Sequence, residues 1–185
     1  MKKIIILFFV CVLQSCGSMV ELSSINWPIN NFYYDGNNVN WEQVYEYQNT
    51  DSLKIANWFK SQFNITNNND GKLYGNSRRS SLPYKKAGYG SMDIIILLRH
   101  PCEVFFTIDF KKDKYRIVVN NIIWYPEISF QTSKYTSSNS NFTISLDEVA
   151  FKNGGCNSIF LNTTSNQLDT ILKIVFKASI NNRDF

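Results

Sequence analysis

Residues 103–124 limit the fold of this chain more tightly than any other stretch. Val104, Phe106, Ile108 and Phe110 alternate with Phe105, Thr107 and Asp109, so one side of the segment is uniformly apolar and the other mixed. Lys111-Lys112-Asp113-Lys114 supplies a polar turn, and Tyr115 to Trp124 returns with the same β-branched and aromatic bias. A period of two does not fit a helix, so the chain must hold an antiparallel sheet whose apolar face is covered by something else.

Two segments carry the helical period that such a cover needs. Leu53, Ala56, Phe59 and Phe63 recur at helical spacing over residues 52–63, behind N-cap chemistry in Asn49-Thr50-Asp51-Ser52. Leu168, Ile171, Leu172 and Val175 do the same from Asn166 to about Ala178, with Asp169 early and Lys173 and Lys177 late, as the helix dipole favours. Residues 39–47 read as a strand, 67–71 as a turn, 72–79 as a strand and 80–90 as a polar loop. Met92 to Arg99 is nearly continuous apolar sequence and reads as a central strand ended by His100-Pro101. Residues 126–141 are a Ser/Thr/Asn-rich connection, 142–151 a short strand or edge, and Gly154-Gly155 a turn. The expected fold class is α+β: an antiparallel β-sheet with two helices on one face, in the order β-α-β-β-β-β-α, forming a single domain over residues 39–181.

The N-terminus points to a compartment. Lys2 and Lys3 precede an apolar run from Ile4 to Leu13, closed by Leu13-Gln14-Ser15-Cys16, which is the layout of an export signal. Its end resembles the lipobox of bacterial lipoprotein precursors, in which the cysteine is lipidated and becomes the first residue; Gln14 departs from the small or apolar residue usual there. The run is about half of the roughly 20 apolar residues that a bilayer span needs. On this reading residues 1–15 are a signal peptide, Cys16 carries palmitate-type acyl chains, and residues 16–38 are a lipidated N-terminus and tether, whose Trp27, Phe32, Tyr33 and Tyr34 are costly to leave in water and can pack on the domain. The expected location is the bacterial cell envelope, on the periplasmic face of the outer membrane, because Gly17-Ser18 lacks an aspartate of the kind that retains lipoproteins in the inner membrane. The expected partners are the membrane, through the lipid, and an envelope protein or glycan.

Composition sets the remaining bounds. Removing 15 of 185 residues leaves 170, enough for one domain with a real core. Two of the 19 Lys+Arg leave with the leader, and 17 against 15 acidic residues gives a net charge of +2. So small a charge attracts polyanions weakly, which excludes nucleic acid as an expected partner. Cys102 and Cys156 remain after processing, and an oxidising compartment lets them form one disulfide, with two separate buried thiols as the alternative.

Chemistry-bearing patterns are sparse. His100 is the lone histidine and stands two residues from Cys102, the only pairing that suggests a nucleophile and its base. No spacing typical of a metal site occurs, and no cofactor is expected. Arg78, Arg79, Lys85 and Lys86 straddle a loop with Tyr84, a contact surface for anionic lipid head groups or an acidic partner.

Residues 39–125 resemble a Bacteroidetes-type lipoprotein family known as a domain of unknown function with a TATA-binding-protein-like (TBP-like) fold. The resemblance rests on the helix SLKIANWFKSQF, the turn Asp70-Gly71-Lys72-Leu73-Tyr74-Gly75, and the hairpin around Lys112-Asp113-Lys114-Tyr115-Arg116. Segment 126–160 lies outside it. It implies a sheet-and-helix fold and brings no activity or catalytic residues. The expected function is therefore a non-catalytic binding or structural domain. The alternatives are an envelope hydrolase built on His100 and Cys102, or a carrier of a hydrophobic ligand between helix and sheet.

Overall fold

The computed structural model describes residues 18–47, 52–69, 71–126 and 142–179. The expected leader, Cys16, and most of the 126–141 connection lie outside the described residues. In chain order the strands are β1 (Met19–Val20), β2 (Phe32–Tyr34), β3 (Val39–Glu46), β4 (Asn64–Asn69), β5 (Lys72–Asn76), β6 (Ser80–Ser81), β7 (Pro101–Lys111), β8 (Lys114–Trp124), β9 (Ile144–Ser145), β10 (Phe151–Lys152) and β11 (Gly155–Asn157). The helices are α1 (Ser52–Gln62), α2 (Leu146–Ala150) and α3 (Ser165–Phe176). A π-helical turn, Phe160–Thr164, leads into α3, and a 3-10 turn spans Ile96–Arg99.

The alternating segment forms the expected hairpin and is the axis of the molecule. β7 and β8 pair from Lys111↔Lys114 to Cys102↔Trp124, with a bulge at Phe105/Phe106. The main sheet runs β2-β3-β8-β7-β5-β4, with β6 added to β7 and β9 to β8, and every pairing is antiparallel. A small second sheet runs β1-β11-β10. The architecture is a mixture of antiparallel sheets and a few helices.

Both long helices cover one face of the main sheet. Phe106, Tyr115 and Trp41 point to that face and meet rings from above. Phe63, just past α1, lies edge-on to Phe106 at 5.0 Å and stacked on Phe176 of α3 at 5.5 Å. Phe59 meets Tyr115 at 5.5 Å, and Trp41 stacks on Phe176 at 6.0 Å. Each such ring pair adds about 0.5–1.5 kcal/mol beyond its area burial. Helix α3 is also hydrogen-bonded down. The buried Asp169 carboxylate accepts from Trp41 Nε1, Asn31 Nδ2 and Lys173 Nζ, each at 2.8 Å. Tyr115 donates to the Phe176 carbonyl at 3.0 Å and accepts from the Ala178 amide at 3.0 Å, satisfying backbone groups at the helix end.

Several expectations are corrected. The tether expected at residues 16–38 packs on the domain through its rings where it is described, more tightly than a tether would: Phe32 is fully buried and packs edge-on with Phe160 at 5.4 Å. Asn30 and Asn31 adopt left-handed backbone (φ 46° and 63°), which asparagine tolerates, and their side chains bond Ser165 and Asp169. Aromatic rings too costly to leave in water draw this segment into the fold. The strand expected at Met92–Arg99 is a series of turns, because Gln167 of α3 holds it: Gln167 donates to Asp93 O at 2.7 Å and accepts from Ile95 N at 3.1 Å. The first three positions of the turn expected at 67–71 belong to a strand instead, since Asn64–Asn69 pairs with β5. A glycine permits that pairing, for a methyl at Gly75 would lie 2.7 Å from the Asn64 carbonyl oxygen. The strand expected at 142–151 is mostly α2, opened by a capping box in which Ser145 and Glu148 bond each other's backbone amides. The simple β-α-β-β-β-β-α order is accordingly replaced by the longer succession above.

Candidate functional site

The sheet edge beside β7 changes hands within a few residues, and that exchange builds a cleft. β5 leaves β7 at Asn76↔Phe105. Ser77 then prolongs the ladder: its amide donates to Val104 O and its hydroxyl accepts from Val104 N, both at 2.9 Å. The chain swings out over Arg78 and Arg79 and returns as β6, with Ser80 opposite Cys102 and Ser81 opposite Pro101. Successive side chains on the excursion part company. Arg78 lines a cleft beside α1, whereas the Arg79 guanidinium lies 3.6 Å from the centre of the Tyr125 ring.

The cleft holds about 390 Å³. Trp58 and Gln62 of α1 form one wall, Leu82 and Pro83 the other, and Cys102 and Val104 line it from β7. Ser77, Ser80, Ser81 and Arg78 add polar groups, so the surface is apolar within and cationic on one side. Among the described residues, no carboxylate lies within ion-pair distance of Arg78. The arrangement suits an apolar group bound next to an anion.

Of the five residues expected to make a contact surface, Arg78 alone lines this cleft. Arg79 is engaged with Tyr125; Tyr84 is half-buried against the core; Lys85 and Lys86 are exposed on the following turn. Trp58, Gln62 and Ser77 were not anticipated. Trp58 lies off the apolar stripe of α1 next to Phe59, a second apolar direction that the helical spacing alone contained.

The expected Cys102–Cys156 disulfide is absent. Both thiols are free and buried, one in the main sheet and the other in the small one. Burial, with the charge of Glu103 adding to it, pushes the Cys102 thiol up to about 12, and burial pushes Cys156 up to about 11. A nucleophilic thiol needs the opposite shift. His100 ends the 3-10 turn, its amide donating to Leu97 O at 3.1 Å, and its side chain does not line the cleft. Among the described residues, no group of three or more His, Cys, Asp or Glu is placed to hold a metal ion, and no helix is long and apolar enough to cross a membrane.

A second hollow, about 230 Å³, opens on the uncovered face of the sheet among Glu42, Val44, Asp109 and Arg116. Its carboxylates are already matched, and Lys111 and Lys114 line it as well. Arg116 pairs with Asp109 and, at 3.8 Å, with Glu42; Lys72 lies 3.6 Å from Asp109. Burial alone would raise the Asp109 carboxyl, but Arg116 and Lys72 hold it below the ordinary carboxylate range.

No protein-family model matches the chain, and no curated protein matches it. The structure is similar to the crystal structure of a TBP-like protein from Parabacteroides distasonis, with a TM-score of 0.44 and 16% identity, over 79% of this chain and 89% of that one. At that level the likeness carries nothing about the cleft or its ligand.

Proposed function

We propose that this chain is a non-catalytic binding domain, held by lipid on Cys16 at the periplasmic face of the outer membrane, whose cleft takes a segment of an envelope protein. One observation carries the reading: a cation, Arg78, stands without a carboxylate partner among the described residues on the wall of an apolar cleft lined by Trp58. Binding energy at protein interfaces concentrates on aromatic and arginine anchors in such pockets. The partner segment therefore presents an apolar or aromatic side chain next to a carboxylate.

The competing readings have less support. A hydrolase built on His100 and Cys102 requires a thiolate, and burial favours the thiol. A carrier needs room between helices and sheet, where Phe59, Phe63, Phe106 and Phe176 already pack against one another. The nearness of a TBP-like architecture adds no case for DNA, given the small net charge.

Affinity capture from chemically cross-linked envelopes tests the proposal. Wild type and Lys112→Glu, altered in the distant hairpin turn, are expected to recover the same protein. Arg78→Glu is expected to lose it by roughly thirtyfold, the consequence of losing about 2 kcal/mol at an anchor residue. Equal recovery by all three overturns it.

A further inference from the structure

Only Gly17 separates Cys16 from Ser18, whose carbonyl already accepts a hydrogen bond from the Ser158 amide at 3.1 Å. Two peptide steps reach about 7 Å when fully extended. Chains on Cys16 enter the hydrocarbon, so the cysteine backbone stays at headgroup level and Ser18 lies within that reach of it. A domain anchored this way has no slack with which to stand off from the bilayer.

The surface at this corner suits the position. Met19 pairs with Asn157 in the small sheet and is 51% exposed; Ile159, next to Ser158, is 46% exposed. Farther along, Met92 and Ile96 are 99% and 65% exposed, flanking the Asp93 and Ile95 backbone groups that Gln167 holds to α3. Large apolar side chains are exposed elsewhere too, Leu53 and Val44 among them, so exposure alone does not single out this corner. The short chain to Cys16 names the occupant.

We infer that the corner formed by Met19 and Ile159 rests on the membrane, with both side chains at the boundary between headgroups and acyl chains. This rests on the lipid-anchor reading above. It fixes an orientation as well. β8 extends about 33 Å at the rise of a strand; its Trp124 end pairs with β9, which leads through α2 and β10 to β11 and β1. Its other end, the turn at Lys112, therefore points away from the bilayer into the periplasm.

The test uses the full chain purified from bacterial membranes and reconstituted in phosphatidylethanolamine/phosphatidylglycerol vesicles. Ile159→Cys and Lys112→Cys are each labelled in the folded state with an environment-sensitive dye, the native thiols Cys102 and Cys156 being buried. A nitroxide placed high on the lipid acyl chains is the quencher, and intact mass reports acylation of Cys16. Loss of most dye emission at 159 with none at 112, on acylated protein, is the expected result. Equal, weak quenching at both sites on acylated protein overturns the inference and leaves the anchor standing. A mass without acyl chains overturns the anchor itself and the inference with it.

Discussion

The two faces of the β7–β8 hairpin differ in almost every physical respect although they come from alternate residues of one segment. The covered face presents Val104, Phe106, Ile108, Tyr115, Ile117 and Val119, all buried, to the rings of α1 and α3. The open face presents Thr107, whose hydroxyl donates to Asn120 Oδ1 at 3.3 Å, and Asp109, paired with Arg116 and Lys72, both cations being nearly half exposed. Exposed ion pairs contribute about 0–1 kcal/mol each, whereas a buried aromatic ring contributes several times that. Stability therefore resides on one face, and the other is free of that burden. The candidate binding site borders the covered face, which Val104 shares with it. It lies at the edge, where Arg78 turns toward the helices and Arg79 toward Tyr125.

Substitutions graded by expected effect sharpen this contrast. Phe106→Ala removes a ring packed on both Phe63 and Phe176 and is expected to cost about 3–5 kcal/mol in denaturant unfolding. A cost no larger than that of an open-face substitution breaks the contrast. Asp169→Ala strands the Trp41 and Asn31 donors and is expected to cost roughly 2–3 kcal/mol. Gly75→Ala, placed against the Asn64 carbonyl, is expected to cost about 1–3 kcal/mol by forcing β4 from β5. Asp109→Asn on the open face is expected to cost less than about 1 kcal/mol at neutral pH.

Acid and alkali probe the faces separately. Asp109 titrates below its ordinary value when folded, so its stabilisation is present above the unfolded carboxylate pKa and is lost as pH falls through the folded one. Wild type should therefore lose stability below about pH 4, and Asp109→Asn should lose less over that window. The two cysteine thiols are raised, so their contribution is complete below the unfolded value of 9.0 and is lost as pH climbs toward about 11 and about 12. A thiol reagent at pH 8 should leave the folded protein unmodified and find both cysteines in denaturant. Recovery of a Cys102–Cys156 bridge from native protein would contradict the buried-thiol account.

What the sequence disclosed follows from where each instruction is written. The hairpin and the two long helices were legible because their periods are local. Residues 92–99 were not, because the side chain that shapes them is Gln167 on a distant helix. The 18–38 segment looked like a tether because its rings follow no period; their partners, Phe160 and Phe151, come more than a hundred residues later. Helix α2 was legible after all in Ser145-Leu146-Asp147-Glu148, a capping box passed over in favour of alternation. Arg78 was found by composition, but the cleft it serves is assembled from α1, β7 and the loop before β6, and no single stretch encodes it.

The edge cleft as binding site is tested most directly by a photo-cross-linking amino acid placed in living cells at Ser81, in the cleft, or at Thr107, on the open face. A discrete covalent adduct from Ser81, absent from Thr107 and abolished by Arg78→Glu, is the outcome expected. An adduct from Thr107 with none from Ser81 would contradict the account and move the site to the open face of the sheet.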